Sequence, residues 1–392
     1  MRLLIVSNMT HCLNREGEVV GWGPTVEEID ALATLFHEIR HLAFLHPGDP
    51  PPTLLPYRAS NVRFVPLPPS GGPTWKHKVG ILRRAPVYLA KMLREFRQAD
   101  AVFVRCPANI SLMAIILLAF VRRPRYRWVK YAGNWKPNGR EPWSYTFQRW
   151  WLNKGLHRGV VTVNGRWPDQ PCHVYSFLNP SLTEQDIEEG RRATDGKELR
   201  LPPQILFVGR VEEAKGAGRV LQIAAGLREG DIPFELHMLG DGPERAHYER
   251  TAKELGLDHQ VHFHGWVPKT QLPNFYARGH FILLPSSASE GWPKVLSEAM
   301  AYGAVPLAGA ISSIPQVLAE TGAGVALPPD DTEAFVKAIS SFVDDPTAWR
   351  HASQQGMEAA RLFTYDAYLD AIREMFWDAW GMEPSILRRE VR

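Results

Sequence analysis

The sequence predicts an α/β protein with two doubly wound parallel sheets, one in each half of the chain. The chain has 392 residues, which is too long for one average domain and suits two. Short apolar runs typical of buried strands alternate with helical segments through both halves. With 45% hydrophobic and 22% charged residues, the composition is that of an ordinary globular protein.

In the first half, the sequence predicts a helix that begins after the loop around Gly23. Thr25 and Glu28 have the spacing of a capping box, which marks a helix start. The apolar run 108–121 predicts a buried helix. Apolar runs predict strands at 1–6, 62–67, 101–104, 128–131 and 160–164, the last of which should close the sheet.

In the second half, the segment 180–200 is polar and helical, and we expect the linker near it. A final helix should begin at about residue 363, because apolar and aromatic residues follow at helical spacing. Strands are predicted at 204–208, 234–239, 261–267, 281–285 and 304–307.

The most informative stretch is 289–300, which follows the predicted strand 281–285. Pro293 suits the first position of a helix, where its missing N–H costs nothing. The N–H groups at such a helix start bind phosphates well. Glu290 in the preceding loop and Glu298 in the helix could accept hydrogen bonds from hydroxyls. A sugar joined through a diphosphate to a ribose fits both demands; the alternative is an acid that favours the helix dipole, with Glu298 solvated.

Two cations follow the predicted strand 204–208. Arg210 and Lys215 would lie at the C-terminal end of a parallel strand, where open α/β sheets bind ligands. A leaving diphosphate needs such charges as its bond to the sugar breaks. The alternative is a turn with two solvated cations.

These motifs together resemble retaining glycosyltransferases of family 4, which have the two-domain GT-B fold. Glu290 and Glu298 match the E-x7-E signature of that family. Gly209-Arg210 followed by Lys215-Gly216 matches its diphosphate-binding pattern. The resemblance is specific over roughly 200–345 and architectural over 1–180. It implies an acceptor-binding domain (1–180), a nucleotide-sugar-binding domain (181–362) and a helix (363–392) that crosses back to the first domain.

The resemblance also implies roles for individual residues. Arg210 and Lys215 would bind the diphosphate, Glu298 the ribose and Glu290 the transferred sugar, so that Glu290, Arg210 and Lys215 are the catalytic candidates. The further donor-binding candidates are Gly23, Gly209, Trp266, Val267, Gly291, Trp292, Lys294 and Val295, with Trp266 and Val267 beside the nucleotide base.

The chain departs from the family at the end of the predicted strand 128–131. The family commonly has a histidine there, near the reacting sugar, and this chain has Ala132. Asn134 remains as the acceptor-side polar candidate. Whether the departure alters the mechanism stays open.

Charge is unevenly distributed along the chain. Residues 1–180 hold 24 Lys and Arg against 11 Asp and Glu, whereas the whole chain has a net charge of only +3. The first half therefore favours a partner of negative charge, or attracts the acidic second half. The segment 75–97 is basic and amphipathic, broken by Pro86, and 148–154 is basic and aromatic. Both suit an anionic membrane surface, with a solvated or core-facing helix as the alternative.

The sequence thus predicts a metal-independent enzyme without a cofactor, which transfers a sugar from a nucleoside-diphosphate sugar to a glycan or lipid-linked acceptor. We expect a cytoplasmic protein, with peripheral attachment to the inner face of the membrane left open. No recognition motif supports nucleic-acid binding. The alternatives are a non-catalytic subunit that binds a nucleotide sugar or an anionic glycan, and a GT-B sugar-nucleotide epimerase or phosphorylase.

Overall fold

The computed structural model describes residues 1–69, 75–137, 139 and 141–384, with only the backbone of 75–82. The chain divides into two compact units. The first comprises Met1–Phe177 together with the chain from Leu369 onward, and the second comprises Leu178–Tyr368. Each unit is built around its own sheet, so the predicted two-sheet α/β architecture is confirmed.

The sheet of the first unit is parallel through its centre. Its strands are β1 (Arg2–Leu13), β2 (Val19–Trp22), β3 (Glu38–Leu45), β4 (Leu54–Pro56), β5 (Val62–Leu67), β6 (Ala101–Cys106), β7 (Tyr126–Tyr131), β8 (Val160–Asn164) and β9 (Val174–Phe177). The parallel pairings run in the order β5-β3-β1-β6-β7-β8-β9. The short strands β2 and β4 add antiparallel pairs at the C-terminal end of β1. The sequence missed β9, so the strand predicted to close this sheet is its neighbour β8.

Helices cover this sheet. They are α1 (Gly23–Leu32), α2 (Trp75–Gln98), α3 (Asn109–Phe120) and α4 (Trp143–Asn153). Tyr88 and Met92 of α2 and Ile115 of α3 are buried in one apolar cluster with strand residues such as Val104 and Val129. The core of the first unit is therefore the layer between its sheet and these helices.

Two predictions about these helices were wrong. Helix α1 begins at Gly23 with Pro24 in its first turn, so Thr25 lies inside the helix and makes no cap. Glu28 lies on the buried face of the helix, where it forms ion pairs with Arg105 of β6 and Lys130 of β7. Helix α2 is not broken at Pro86, which lies exposed inside it. The buried side chains beyond the proline hold the second half of the helix on the core. The side chains of Lys76 and Lys78, part of the predicted basic stretch, lie outside the described residues.

The second unit has a fully parallel sheet. Its strands are β10 (Gln204–Val208), β11 (Glu235–Leu239), β12 (Val261–Gly265), β13 (Phe281–Leu284), β14 (Val305–Gly309) and β15 (Val325–Leu327). They lie in the order β12-β11-β10-β13-β14-β15. The chain therefore reverses its direction of winding between β10 and β13, which are hydrogen-bonded neighbours. Such a reversal is a topological switch point, where doubly wound sheets bind ligands.

The helices of the second unit are α5 (Glu184–Ala193), α6 (Ala217–Glu229), α7 (Arg245–Glu254), α8 (Leu272–Arg278), α9 (Lys294–Ala301), α10 (Ile314–Thr321), α11 (Thr332–Asp344) and α12 (Pro346–Ala360). Pro293 immediately precedes α9 and has an extended backbone, with ψ of 119°, so it is the N-cap and not the first helical residue as predicted. The helix starts one residue later than expected.

The last helix is α13 (Tyr365–Trp380), which begins where the sequence predicts. From Leu369 onward it belongs to the first unit, where Phe376 packs against Phe36 with ring centroids 6.1 Å apart. Among the described helices, none combines the length and the apolar character that a membrane span requires.

Candidate functional site

The loops that follow β10 and β13 meet at the switch point of the second unit. The loop after β10 carries Arg210 and Lys215, and the loop after β13 carries Glu290. The N–H groups of Ser287 and Ala288 both donate to the carbonyl of Ala214, at 3.1 Å each. The two loops are distant from each other in the sequence, and these hydrogen bonds join their backbones directly.

Gly216 permits this close approach. Its φ of +87° is in the left-handed region, and a Cβ there would lie 2.4 Å from the carbonyl oxygen of Pro285. A side chain at this position would push the two loops apart. The Gly in the predicted Lys-Gly pair is therefore required by the geometry of the site as well as by its resemblance to a family pattern.

Lys215 and Glu290 form an ion pair at the centre of the site. About a fifth of the Lys215 side chain and a third of the Glu290 side chain are exposed, 21% and 30% respectively. Burial lowers the pKa of the Lys215 ammonium, the charge of nearby Arg210 adds to this shift, and Glu212 opposes it. Arg210 itself is largely exposed, with its guanidinium 3.2 Å from the carboxylate of Glu212. One cation is thus fixed inside the site and the other stands at its edge.

Glu298 lies on α9 and is half-buried. Its carboxylate accepts a hydrogen bond of 3.0 Å from the hydroxyl of Tyr276 on α8. Burial, with the Glu298 carboxylate as a second cause, raises the pKa of Tyr276 well above its usual value. The phenol therefore stays protonated and acts as a donor that orients Glu298. Nothing in the sequence pointed to Tyr276, since a tyrosine within an amphipathic helix carries no local signal.

Between Glu290 and Glu298, the segment that leads into α9 is held in place by contacts with neighbouring residues. The carbonyl of Gly291 accepts a hydrogen bond of 2.7 Å from Ser313, which is buried. The indole of Trp292 is buried and stacked on Phe363, with ring centroids 4.8 Å apart. Trp292 can therefore contribute to a ligand site only through its backbone. The ammonium of Lys294 lies 6.0 Å from the ring centroid of Tyr365, and Val295 packs against the core.

The other donor-side candidates lie at the same edge of the sheet. Trp266 and Val267 directly follow β12; the indole is 45% exposed, whereas Val267 packs partly into the core. Gly209 follows β10, and the backbone of Gly240 passes so close that a Cβ on Gly240 would lie 1.8 Å from the Gly209 carbonyl oxygen.

The candidates of the first unit lie elsewhere. Gly23 is the first residue of α1, and its N–H donates to the carbonyl of Thr53 at 3.1 Å. The side-chain oxygen of Asn134 accepts from the backbone N–H of Lys136 at 3.1 Å. Ala132 lines a cavity of about 380 Å³ that lies beside the middle of β1 and the C-terminal ends of β6 and β7. In the described part of the chain, no three His, Cys, Asp or Glu side chains cluster as a metal site would need.

Comparison with known proteins defines the class of the second unit. Residues 193–360 match the model of the family described as glycosyl transferases group 1. This stretch is therefore a group 1 glycosyltransferase domain, and it contains the Lys215–Glu290 pair and Glu298.

Curated relatives match over about half of this chain. An exopolysaccharide phosphotransferase of Streptomyces coelicolor is 28% identical over 48% of this chain and 20% of its own length. An alpha-D-kanosaminyltransferase of Streptomyces kanamyceticus is 25% identical over 48% and 49%. A lipopolysaccharide 1,6-galactosyltransferase of Salmonella typhimurium is 29% identical over 43% and 50%. The chain thus spans half or less of the length of these relatives.

Solved structures match nearly the whole chain. Sucrose-phosphate synthase from Thermosynechococcus elongatus has a TM-score of 0.70 at 18% identity, covering 96% of this chain and 98% of that one. Anabaena HepE in complex with UDP has a TM-score of 0.67 at 14% identity, covering 96% and 100%. These likenesses confirm the predicted GT-B fold, with two Rossmann-like domains.

Proposed function

We propose that this protein is a retaining glycosyltransferase of family 4 that moves a sugar from a nucleoside-diphosphate sugar to an acceptor hydroxyl. The observation that carries the proposal is the meeting of Lys215 and Glu290 at the switch point of a group 1 glycosyltransferase domain. A cation and a carboxylate at one point suit a ligand that has phosphates and hydroxyls side by side.

Binding of the donor would replace the ion pair between Lys215 and Glu290 by contacts of each side chain with the donor. Its diphosphate would draw the Lys215 ammonium away from Glu290, with Arg210 and the N–H groups at the start of α9 as further donors. The freed carboxylate of Glu290 would then accept hydrogen bonds from hydroxyls of the sugar. Glu298, oriented by Tyr276, would accept from the ribose hydroxyls.

The transfer would need no protein base. The bond between the sugar carbon and the leaving phosphate oxygen breaks while the acceptor oxygen bonds to the same carbon on the same face. The acceptor proton passes to the leaving phosphate oxygen, so Ala132 is compatible with activity. Arg210 and Lys215 would stabilise the charge that develops on the diphosphate, the part that a divalent cation plays elsewhere. We therefore propose catalysis without metal.

The names of similar proteins guide the choice of substrates. HepE binds UDP in its structure, and one relative is a lipopolysaccharide galactosyltransferase. We propose a surface-glycan or lipid-linked acceptor. Peripheral binding to an anionic membrane is proposed from helix α4, which exposes Trp143 and Trp150 and is followed by exposed Lys154. Trp151 points inward, since its indole N–H donates to the carbonyl of Ile115 at 3.2 Å.

A thermal-shift panel of UDP, GDP, ADP and dTDP sugars, with and without chelator, tests the donor site. A donor present at about 100 times its dissociation constant should add about 2.7 kcal/mol of stability. Glu298→Ala should respond far less than wild type, whereas Glu254→Ala, which removes an exposed carboxylate of the same unit, should respond normally. The donor site is refuted if no nucleotide sugar stabilises the wild type even with divalent metal added.

Product analysis then tests the reaction. Free nucleoside diphosphate with a glycosylated acceptor of unchanged anomeric configuration, read from the proton coupling of the anomeric centre, is the expected result. Inverted configuration would contradict retention. The second candidate, a non-catalytic nucleotide-sugar-binding subunit, is favoured by Ala132 alone; it predicts donor binding without any product across the acceptors tested.

A further inference from the structure

Arg219 lies in the first turn of α6, shortly after the loop that carries Lys215. Only 11% of its side chain is exposed. Its Nη2 donates to the carbonyl of Glu213 at 3.0 Å and to the hydroxyl of Ser287 at 3.2 Å. Glu213 belongs to the loop after β10 and Ser287 to the loop after β13. One guanidinium nitrogen therefore bridges the two loops that carry Lys215 and Glu290.

On the loop after β10, Arg219 holds the turn that carries Lys215. The carbonyl of Glu213 accepts from the N–H of Gly216 at 2.9 Å as well as from Arg219. The bond from Gly216 closes a short 3-10 turn, of which Lys215 is the last residue. A shift of the Glu213 carbonyl would therefore move the backbone from which the Lys215 ammonium reaches Glu290.

On the loop after β13, Arg219 adds to a junction that the backbone already forms. The carbonyl of Ala214 accepts from the N–H groups of Ser287 and Ala288 at 3.1 Å each, and from the hydroxyl of Ser286 at 3.2 Å. Since the hydroxyl of Ser287 accepts from Arg219, this residue is held through both its backbone and its side chain. The guanidinium thus fastens the junction between the loops from a second side.

The remaining surroundings of Arg219 stabilise its charge little. Its Nη1 lies 2.8 Å from Oδ1 of Asp330 and 3.7 Å from Oε1 of Glu213. Asp330 is 86% exposed and Glu213 is largely exposed, so water screens both ion pairs. The cation lies at the positive end of the α6 dipole, where a positive charge is disfavoured. Its Nε is buried without a hydrogen-bond partner among the described residues. The stabilising contacts of Arg219 are therefore those that join the two loops.

We propose that Arg219 is a positioning residue of the donor site, whose guanidinium holds the loops after β10 and β13 at the separation at which Lys215 meets Glu290. Nη2 carries two N–H groups in the fixed plane of the guanidinium, so it donates to both loops at once. Arg219 acts on a ligand through Lys215. The effect on a nucleotide sugar rests on the proposed function, whereas the joining of the two loops does not.

Native-state hydrogen exchange of the Ser287 and Ala288 amides measures the junction directly, in the full-length protein without ligand. Both amides should exchange about 10- to 100-fold faster in Arg219→Gln than in wild type, the value of one hydrogen bond from a charged group. Arg228→Gln is the matched control. It removes another guanidinium of α6, which donates to the carbonyl of Gly256 at 3.0 Å from the last turn of the helix. Exchange of the two amides should stay as in wild type.

Two results of this experiment would overturn the proposal. Unchanged exchange in Arg219→Gln would mean that the guanidinium does not hold the junction. Equal acceleration in Arg219→Gln and Arg228→Gln would reduce the effect to a general loss of stability. If Arg219→Gln does not fold, Ser287→Ala serves instead, because it removes the acceptor on the loop after β13 and keeps Arg219. The Ala288 amide should then exchange faster, and unchanged exchange would again refute the bridge.

Calorimetric titration with UDP tests how the junction acts on the donor site. Because Arg219 acts through Lys215, Arg219→Gln should weaken UDP binding about tenfold in the wild-type background and leave it unchanged in a Lys215→Ala background. Equal losses in both backgrounds would overturn the positioning role. Failure of the proposed function gives a different result: a wild type that binds no nucleotide, together with faster exchange in Arg219→Gln, would refute the donor site and leave the junction standing.

Discussion

The hydroxyl of Tyr276 offers a sharp test of how the donor site is organised. It is buried, and it donates to the carboxylate that we assign to the ribose, Glu298, at 3.0 Å. Tyr276→Phe removes this one donor and keeps the ring. Since Glu298 is half-exposed, water can replace the lost hydrogen bond in the free protein. The free energy of unfolding should therefore fall by only about 0.5–1.5 kcal/mol, the net value of an ordinary hydrogen bond.

The cost should appear when the nucleotide binds. The ribose would displace the replacement water and find a carboxylate that no side chain orients. A hydrogen bond to a charged group is worth about 1.5–3 kcal/mol once water is excluded. We therefore expect the dissociation constant for the nucleoside diphosphate to rise at least about tenfold, measured by isothermal titration calorimetry.

Tyr302→Phe is the matched control. Its ring lies 6.0 Å from that of Tyr276, it is equally buried, and its hydroxyl has no hydrogen-bond partner among the described residues. Removing that hydroxyl should leave nucleotide affinity unchanged and stabilise the fold by about 1 kcal/mol, because an unsatisfied buried group disappears. Equal nucleotide affinity in the two variants would refute the orienting role of Tyr276.

Three further predictions concern the loops of the proposed donor site and the buried polar residues of the first unit. Gly216→Ala should destabilise the protein more than Gly196→Ala in urea unfolding. Both glycines have a positive φ, which costs an alanine about 1–2 kcal/mol of strain, but of these two only Gly216 would place a Cβ against a backbone oxygen. Equal losses of stability in the two variants would contradict the close approach. The Tyr57 hydroxyl lies 2.7 Å from Nε2 of His11 and 2.6 Å from Nδ1 of His41. Tyr57→Phe should therefore cost about 1–3 kcal/mol for each of these two buried ring nitrogens that loses its partner, and a neutral result by the same assay would contradict the two hydrogen bonds. Burial lowers the pKa of His11 from 6.5 to about 4, so as the pH falls the unfolded chain binds this proton before the folded chain does. The contribution of the neutral imidazole to the free energy of unfolding is complete above pH 6.5 and should decline toward pH 4. Urea midpoints measured across that range should fall less steeply in His11→Asn than in wild type.

The sequence predicted the strands that have continuous apolar runs, such as β10 and β13, to within one or two residues. It missed β3 (Glu38–Leu45), whose polar residues interrupt the pattern. Arg40 in that strand pairs with Glu95 of α2, and His41 is bonded to Ser7 and Tyr57. A strand whose polar side chains are satisfied by distant partners has no local signature of burial. The four-residue edge strand β9 was missed because its pattern is too short to read.

The proposed donor site was readable for a physical reason. Phosphate binding at a switch point depends on a few residues directly after two strands, so Arg210, Lys215 and Glu290 lie within about seven residues of a strand end. Their positions can therefore be read from the predicted ends of the two strands. The sequence could not reveal that Lys215 contacts Glu290, because that contact depends on β10 and β13 being neighbours in the sheet.

The buried charges of the first unit obey the opposite rule. Glu28, Arg105 and Lys130 come from α1, β6 and β7, and no two of them are close enough in the chain to form a pattern. The spacing of Thr25 and Glu28 even suggested a cap, whereas Glu28 lies on the buried face of α1 and pairs with Arg105 and Lys130. Such a cluster is assembled from side chains that the fold brings together, whereas the proposed diphosphate site lies in loops that directly follow two neighbouring strands. A sequence pattern can therefore reveal the loops after β10 and β13, whereas only three-dimensional contacts can reveal the ion pairs of Glu28.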